Sequence, residues 1–343
     1  MKKLVLRQAL ASVGLTAFAV VAQGQELRPA PGFWVRTGAV IRHGYNVQFT
    51  DSSAPLPAGE GNYANGFVRP SVSTNSPYTW NWGYQDASQV QGTTVAYERF
   101  DSRPRVGTLE SGTQSAFGGE LRAGFEAFRF EVFERDIRFG LEAGYSFSSL
   151  SASASGNVTG SASHTRGVYS LVGPGGTPII PPTAPYQGTF NGPGPVIQLA
   201  PASMNTLTGV GTSTAQFGLD ADIHTFKFGP YFELPLSRRW VVGLSFGYCT
   251  VLPDSEFTID EVTSYPGTGI PGSTLKKTIR RSDWQPGGYV ELRANFEINR
   301  RLGVYVAGEV QYNEALEFGG EGRTARVDLG GIYGASAGVR LNF

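Results

Sequence analysis

Apolar and polar residues alternate strictly over the last eleven positions of the chain. The odd positions from Tyr333 to Phe343 are Tyr, Ala, Ala, Val, Leu and Phe, and the even positions between them are Gly, Ser, Gly, Arg and Asn. A period of two places successive side chains on opposite faces of a β-strand. The pattern therefore predicts a strand of about 33 Å with one apolar face.

The same alternation recurs upstream and predicts eight strands. They lie at roughly 33–48, 117–131, 137–151, 215–235, 240–262, 275–298, 302–317 and 325–343. The connections near 132–136, 237–239 and 299–301 are short, whereas 49–116, 152–214, 263–274 and 318–324 are longer. Short turns at one end and long loops at the other are typical of membrane barrels. The expected fold is an all-β, transmembrane, antiparallel up-and-down β-barrel of eight strands.

The first long loop, 49–116, fits less well. Trp80, Trp82 and Tyr84 alternate, and residues 93–100 can pair back across 85–92. We interpret this as a hairpin above the membrane, with a barrel of ten strands as the alternative. The second long loop, 152–214, is rich in Ser, Gly and Thr and then in Pro, so a mobile, extended stretch is expected.

A secreted soluble β-sandwich would also alternate apolar and polar positions. Glycines such as Gly140, Gly243 and Gly338 recur on the polar face of the predicted strands. A solvated face does not require glycine, whereas the interior of an eight-stranded barrel has little room for side chains. The glycines favour the barrel.

The N-terminus has the pattern of a secretory signal. Lys2, Lys3 and Arg7 precede an uncharged apolar stretch at 9–21, and Ala22 and Gly24 are small residues at cleavage-site spacing. The apolar stretch is too short to cross a bilayer as a helix. We therefore predict a signal peptide at 1–24, cleaved after Gly24, and a mature barrel at 25–343 in the bacterial outer membrane.

Composition narrows the choice of partners. The mature chain would carry 25 basic and 28 acidic residues, a net charge near −3, so it offers no general attraction to nucleic acid. Cys249 is the only cysteine, so no internal disulfide can form. No cofactor is expected.

The final strand resembles the C-terminal strand of bacterial outer-membrane barrels, through Tyr333, Val339, Leu341 and the terminal Phe343. As a whole the mature chain resembles the small OmpA/OmpX-like eight-stranded barrels in strand number and loop asymmetry. That resemblance implies recognition of this strand by the barrel assembly machinery. It also implies a monomer surrounded by outer-membrane lipids and lipopolysaccharide.

The polar faces of the strands carry a nearly balanced set of charges. A lumen this narrow is filled by its side chains, and unpaired charges there would cost several kcal/mol each. Mutual pairing and a plugged lumen are therefore expected. The predicted inward residues are Arg36, Arg42, Arg122, Glu126, Arg138, Glu142, Lys227, Glu233, Glu291, Arg293, Glu297, Glu309 and Arg340.

Asp220, Asp222 and His224 share one face of a predicted strand. The apolar positions change parity beside them, from odd positions such as Phe217 to even positions such as Phe226. A β-bulge is therefore expected near His224, which would turn the three side chains inward or place them at the extracellular rim. Carboxylates there could hold a cation. The grouping also resembles part of the omptin protease site, which requires a second carboxylate pair, and no such pair is identifiable in this sequence. We therefore interpret the three residues as hydrated residues of the barrel rim.

Catalytic motifs are weak elsewhere. The sequences around Ser245 and Ser336 match Gly-x-Ser-x-Gly, but both fall mid-strand, without the turn that this motif requires. The expected function is a non-enzymatic barrel whose structural or surface-interaction role lies in its extracellular loops. A rim-site hydrolase around Asp222 and His224, or a narrow channel, are the alternatives.

Overall fold

The computed structural model describes residues 28–52, 61–72, 76–132, 135–320 and 322–343. The predicted signal peptide lies outside these residues. Two 3₁₀ turns, Ala87–Gln89 and Pro174–Gly176, are the helical elements of the described chain, and no helix in it is long and apolar enough to cross a membrane. Its strands are β1 (Arg28–Asp51), β2 (Asn62–Tyr63), β3 (Gly66–Val68), β4 (Tyr78–Thr79), β5 (Trp82–Tyr84), β6 (Val90–Gln91), β7 (Thr94–Ser102), β8 (Gly107–Val132), β9 (Arg135–Ser170), β10 (Tyr186–Gln187), β11 (Ile197–Gln198), β12 (Ser203–Pro235), β13 (Trp240–Ser264), β14 (Ser273–Ser282), β15 (Gln285–Glu297), β16 (Leu302–Asn313), β17 (Leu316–Gly320), β18 (Arg323–Asp328) and β19 (Gly330–Asn342).

Eight antiparallel strands close into a ring. The order is β1, β8, β9, β12, β13, β15, β16 and β19. The ring closes where β19 pairs with β1, from Trp34 opposite Asn342 to His43 opposite Tyr333. Short connections join β12 to β13 and β15 to β16, where Leu236 and Ile298 donate backbone hydrogen bonds across the turns.

The predicted strands coincide with this ring and its upward continuations. The predicted strand 275–298 corresponds to β14 with β15, 302–317 to β16 with β17, and 325–343 to β18 with β19. The all-β antiparallel class is confirmed. The main difference is length, because β9 continues to Ser170 and β12 begins at Ser203, far beyond the predicted ends.

Above the ring the sheet divides in two. Pairing between β8 and β9 stops at Phe117 opposite Ser149, and pairing between β15 and β16 stops at Gly287 opposite Asn313. Four strands continue as one sheet in the order β8–β1–β18–β17, here called the short sheet. The other four continue in the order β9–β12–β13–β14, here called the long sheet.

The two sheets face each other across an apolar core. At its centre Phe49 of the short sheet lies 5.7 Å from the ring of Phe217 and 5.8 Å from that of Phe257, both on the long sheet. Phe318 joins from β17, 6.1 Å from Phe257. Two sheets with such a core form a β-sandwich. The continuations of the ring strands therefore form a sandwich above the ring, which differs from the soluble β-sandwich considered for the whole chain.

A small domain built from the two long loops sits at the far end of the long sheet, and we call it the head. In the head β5 pairs with β3 and β10, β4 pairs with β11, and β7 pairs with the upper end of β9. Its buried core is mostly aromatic and consists of Tyr63, Val68, Trp82, Tyr84, Val95, Tyr97, Tyr169, Leu171 and Ile197.

Two loop predictions were wrong. Residues 93–100 do not pair with Trp80–Tyr84, because β7 pairs with β9 while β5 pairs with β3 and β10. The loop 152–214 is not an extended stretch throughout. Its two ends are the upper parts of β9 and β12, and the segment between them is bound into the head, where Leu171 donates a backbone hydrogen bond to Thr93.

Candidate functional site

The interior of the ring contains a continuous network of buried ion pairs. Arg122 lies at its centre, with nitrogens 2.6 Å from Glu291, 2.8 Å from Glu309 and 3.0 Å from Glu142. Its side chain is 2 % exposed. Because β8 carries Arg122 on an inward even position, one cation reaches carboxylates from three other strands.

A second cluster continues the network toward the turns between the ring strands. Arg293 donates to Glu142 at 2.7 Å and to Glu233 at 3.1 Å. Glu233 also pairs with Arg340, and Arg138 lies 3.8 Å from Glu297 at this end of the ring. Every carboxylate of this cluster therefore has a cation within reach.

The remaining predicted inward charges take places at the edges of the network. Arg36 donates to Glu291 at 2.5 Å, Lys227 donates to Glu309, and Arg42 lies 3.6 Å from Glu309. Glu126 is buried and pairs with Arg129, four residues along β8 from Arg122. The structure thus places the predicted lumen charges inside the ring, most of them in mutual contact.

Glu120 is a member of the network that sequence reasoning missed. It is buried, lies 3.4 Å from Arg122 and accepts a hydrogen bond from Tyr305 at 2.8 Å. It lies within the predicted strand 117–131 but was not assigned to the lumen. Extending the alternation of β8 by one step, from Arg122 back to Glu120, would have found it.

Aromatic rings fill the spaces between the charges. The indole of Trp34 lies under three guanidinium groups, 5.7 Å from Arg36, 5.1 Å from Arg293 and 4.8 Å from Arg340. A cation over an aromatic face is attracted to it. Gly124 makes room for this indole, because a Cβ there would lie 2.3 Å from its carbons. The packing agrees with a closed interior.

A smaller charged cluster lies inside the sandwich above its Phe core. Asp51 is 2.8 Å from Arg105 and 3.4 Å from Arg323, and Arg323 also donates to Glu261 at 3.0 Å. Burial and the nearby Glu261 raise the pKa of Asp51, against the lowering effect of the two arginines. From the ring upward, the interior therefore contains a charged layer, an apolar layer and a second charged layer.

Asp220, Asp222 and His224 point away from the interior, on the outer face of β12. Ser149 donates a hydrogen bond to Asp222 at 2.9 Å, and the Tyr145 hydroxyl lies 2.9 Å from Nδ1 of His224. β12 runs past His224 in unbroken register with both neighbours, so the predicted bulge was wrong. Within the described residues, no group of three or more His, Cys, Asp or Glu side chains is placed to hold a metal ion.

The C-terminal residues predicted to direct assembly lie on the outer face of β19. Tyr333, Val339, Leu341 and Phe343 are all exposed, Phe343 by 77 %. The Phe343 backbone donates a hydrogen bond of 2.8 Å to Phe33, and the two rings are 5.8 Å apart. The end of the chain is thus fixed against the first strand at the closure of the ring.

The chain has little similarity to known proteins. No family model matches the chain, and no curated protein matches it. Among solved structures it is similar to the outer membrane protease OmpT of Escherichia coli, with a TM-score of 0.34 and 11% identity over 94% of this chain and 99% of that one. It is also similar to Neisserial surface protein A, with a TM-score of 0.26 and 10% identity over 91% and 97% of the two chains. Scores this low do not establish a shared fold.

Proposed function

We propose that this chain is an eight-stranded outer-membrane β-barrel with a closed lumen, exported through a signal peptide at 1–24. Its role is to hold the folded head above the membrane for interactions at the cell surface, without catalysis. The single observation that carries this proposal is the distribution of exposed apolar side chains. They form a belt around the ring, while the outer faces of the sandwich above are mostly polar, with Val262 as an exposed apolar exception.

The belt is continuous from strand to strand. Its exposed residues include Phe33, Ile41, Phe117, Leu121, Phe125, Leu141, Phe228, Trp240, Leu244, Leu292, Val304, Val306, Val310, Tyr333, Val339, Leu341 and Phe343. A soluble protein rarely exposes so large an apolar surface. From Tyr333 to Phe343 the belt spans about 33 Å of strand, or ~23 Å along the membrane normal at 45° tilt, close to the apolar band of outer-membrane barrels.

The ion-paired interior supports a closed lumen. An eight-stranded ring has an interior that its own side chains can fill. Here Arg122 and Arg293 are each fixed by several carboxylates, and aromatic rings such as Trp34 occupy the space between them. Ion flux would require these contacts to open. A narrow channel therefore remains the less favoured candidate, and single-channel recording decides it.

The length of the long sheet supports a role for the head. From Phe226 in the belt to Ser203 at the start of β12 there are 23 residues, or about 75 Å of strand. Such an extension carries the head well clear of the lipid surface. Its own aromatic core, with Trp82 fully buried, lets it keep a defined shape there.

One pair of substitutions tests the membrane assignment directly. Val306→Arg places a charge at mid-belt, on a side chain that is 59 % exposed. In a bilayer this change should cost about 2–4 kcal/mol and sharply lower the folded protein in the outer-membrane fraction. Thr214→Arg, on the outer face of the sandwich, is the matched control and should leave the level unchanged.

Folded protein is detected by its faster migration on unheated than on boiled SDS gels. Planar-bilayer recording of the purified wild type should give no steady single-channel steps. Recovery of the wild type as a soluble periplasmic protein, or indifference of the outer-membrane level to Val306→Arg, would overturn the membrane assignment. Reproducible conductance steps would overturn the closed lumen.

A further inference from the structure

An open groove crosses all four strands on the outer face of the long sheet. It encloses about 710 Å³. Four residues lie side by side in register along its floor, namely Ser153, Gly218, Thr258 and Thr278. The floor has no side chain larger than threonine, and Gly218 contributes none. Four strands spaced about 4.8 Å apart give a groove roughly 14 Å long.

Two polar ridges border this floor. The first ridge lies two positions farther from the ring than the floor, where Lys276 Nζ is 2.9 Å from Asp260 Oδ2, beside Gln216. The second ridge lies two positions nearer the ring than the floor, where Arg280 Nε donates to Glu256 at 2.8 Å. The ridges are four residues apart along the strands, so the groove is about 13 Å wide. Each ridge contains an ion pair between neighbouring strands.

The chemistry of the groove suits a neutral ligand rich in hydroxyl groups. Hydroxyl side chains form most of the floor, and Gln216 and Asp260 offer amide and carboxylate oxygens above it. Such groups donate to and accept from alcohols in several directions. On the ring side of the groove, Asp220, Asp222, Asp254 and Glu256 share one surface depression with Arg280. Their excess negative charge opposes a phosphate group.

The position of the groove identifies the source of the ligand. Gly218 is eight residues above Phe226 of the belt, about 27 Å along the strand or ~20 Å above the apolar band. The groove also opens sideways, below the head. In an outer membrane, this lateral space is occupied by the sugars of the surrounding lipopolysaccharide, whereas a partner on another cell meets the head first.

We propose that this groove binds the neutral saccharide chain of the lipopolysaccharide in which the protein is embedded. The inference rests on the proposed outer-membrane location. Binding there would fix the sandwich sideways against the saccharide layer and so keep the head oriented away from the membrane.

The test uses the full-length protein in detergent micelles and the delipidated polysaccharide released from the lipopolysaccharide of the producing strain. Calorimetry measures its dissociation constant. Gly218→Leu fills the floor of the groove, and its new Cβ would lie 2.6 Å from the Thr258 hydroxyl, which must rotate away. It should weaken binding at least tenfold, and Gln216→Ala, which removes one hydrogen-bonding side chain, about threefold. Thr324→Leu, on the outer face of the short sheet, is the matched control and should bind as the wild type does.

A second titration uses deep-rough lipopolysaccharide, which lacks the outer saccharide, and should show no dependence on Gly218. Folding of each variant is checked by heat-modifiable gel migration. The inference is overturned if folded wild type does not bind the polysaccharide, if Gly218→Leu binds it normally, or if binding follows the phosphorylated lipid alone. Those outcomes leave the membrane proposal intact, because that proposal is decided by the Val306→Arg experiment.

Discussion

Replacement of Arg293 by alanine removes the cation that joins two carboxylates in the ring interior. Its guanidinium lies 2.7 Å from Glu142 and 3.1 Å from Glu233, and its side chain is 1 % exposed. After the change, Glu142 keeps Arg122 at 3.0 Å and Glu233 keeps Arg340. Each carboxylate is therefore left with part of its former compensation.

The expected loss of stability follows from this geometry. Removing one partner from a buried ion pair typically costs about 3–5 kcal/mol, because a buried charge loses its compensation. With a urea m-value of about 2 kcal/mol/M, the unfolding midpoint should fall by about 2 M. Combining Arg293→Ala with Glu142→Gln should be less damaging than the sum of the single changes, by about 0.5–3 kcal/mol, since the two side chains are in contact.

The assay is equilibrium urea unfolding in lipid vesicles, followed by tryptophan fluorescence. Arg326→Ala is the matched control, because Arg326 lies 3.2 Å from Glu317 in an ion pair that is half exposed. Exposed pairs contribute about 0–1 kcal/mol. If Arg293→Ala costs no more than Arg326→Ala, the ring interior is not held together by ion pairing. If it keeps its stability and gains discrete conductance, the closed-lumen assignment also fails.

Two further predictions concern the ends of the molecule. Deletion of Phe343, which packs on Phe33 at the closure of the ring, should lower outer-membrane levels while export to the periplasm continues, as measured by fractionation, and normal levels would count against an assembly role. Trp82→Ala empties a fully buried site that is stacked on Tyr84 and tilted against Tyr186, so about 3–5 kcal/mol should be lost from the head alone. Limited proteolysis should then cut the head while gel migration of the ring stays heat-modifiable, and loss of both together would contradict an independent head core.

The ring could be predicted because its information is local. Each strand shows its own period of two, and the inward parity of one recognised residue, such as Arg122, assigns its neighbours on the strand. Glu120 and Trp34 also obey this rule. Both fall on inward positions of the predicted strands 117–131 and 33–48, so applying the parity to every even position would have placed them in the interior.

The head could not be predicted because its pairing is neither local nor periodic. β5 pairs with β10 and β4 pairs with β11, joining segments more than 100 residues apart through strands of two or three residues. A strand of two residues shows no alternation. Composition was also misleading, because the proline-rich segment that suggested an extended stretch supplies backbone carbonyls to the head, as where Pro195 accepts from the Trp82 indole at 2.8 Å.

The change of apolar parity at His224 was expected to mark a bulge, but it marks a regular strand. β12 keeps its odd residues inside from Gly211 to Glu233, so Ile223 lies in the apolar sandwich and Lys227 in the charged ring. Above the ring the interior side chains become apolar, and at the same height the outward side chains become polar. In a strand without a bulge, the apolar residues must therefore move from even to odd positions of the sequence.

β1 crosses the same boundary with a register shift instead. Its apolar odd positions continue, and a register shift at Gly44, with φ of +107°, carries them from the exposed Ile41 to the buried Val47. The bulge therefore occurs in β1, the strand whose apolar residues stay on odd positions throughout.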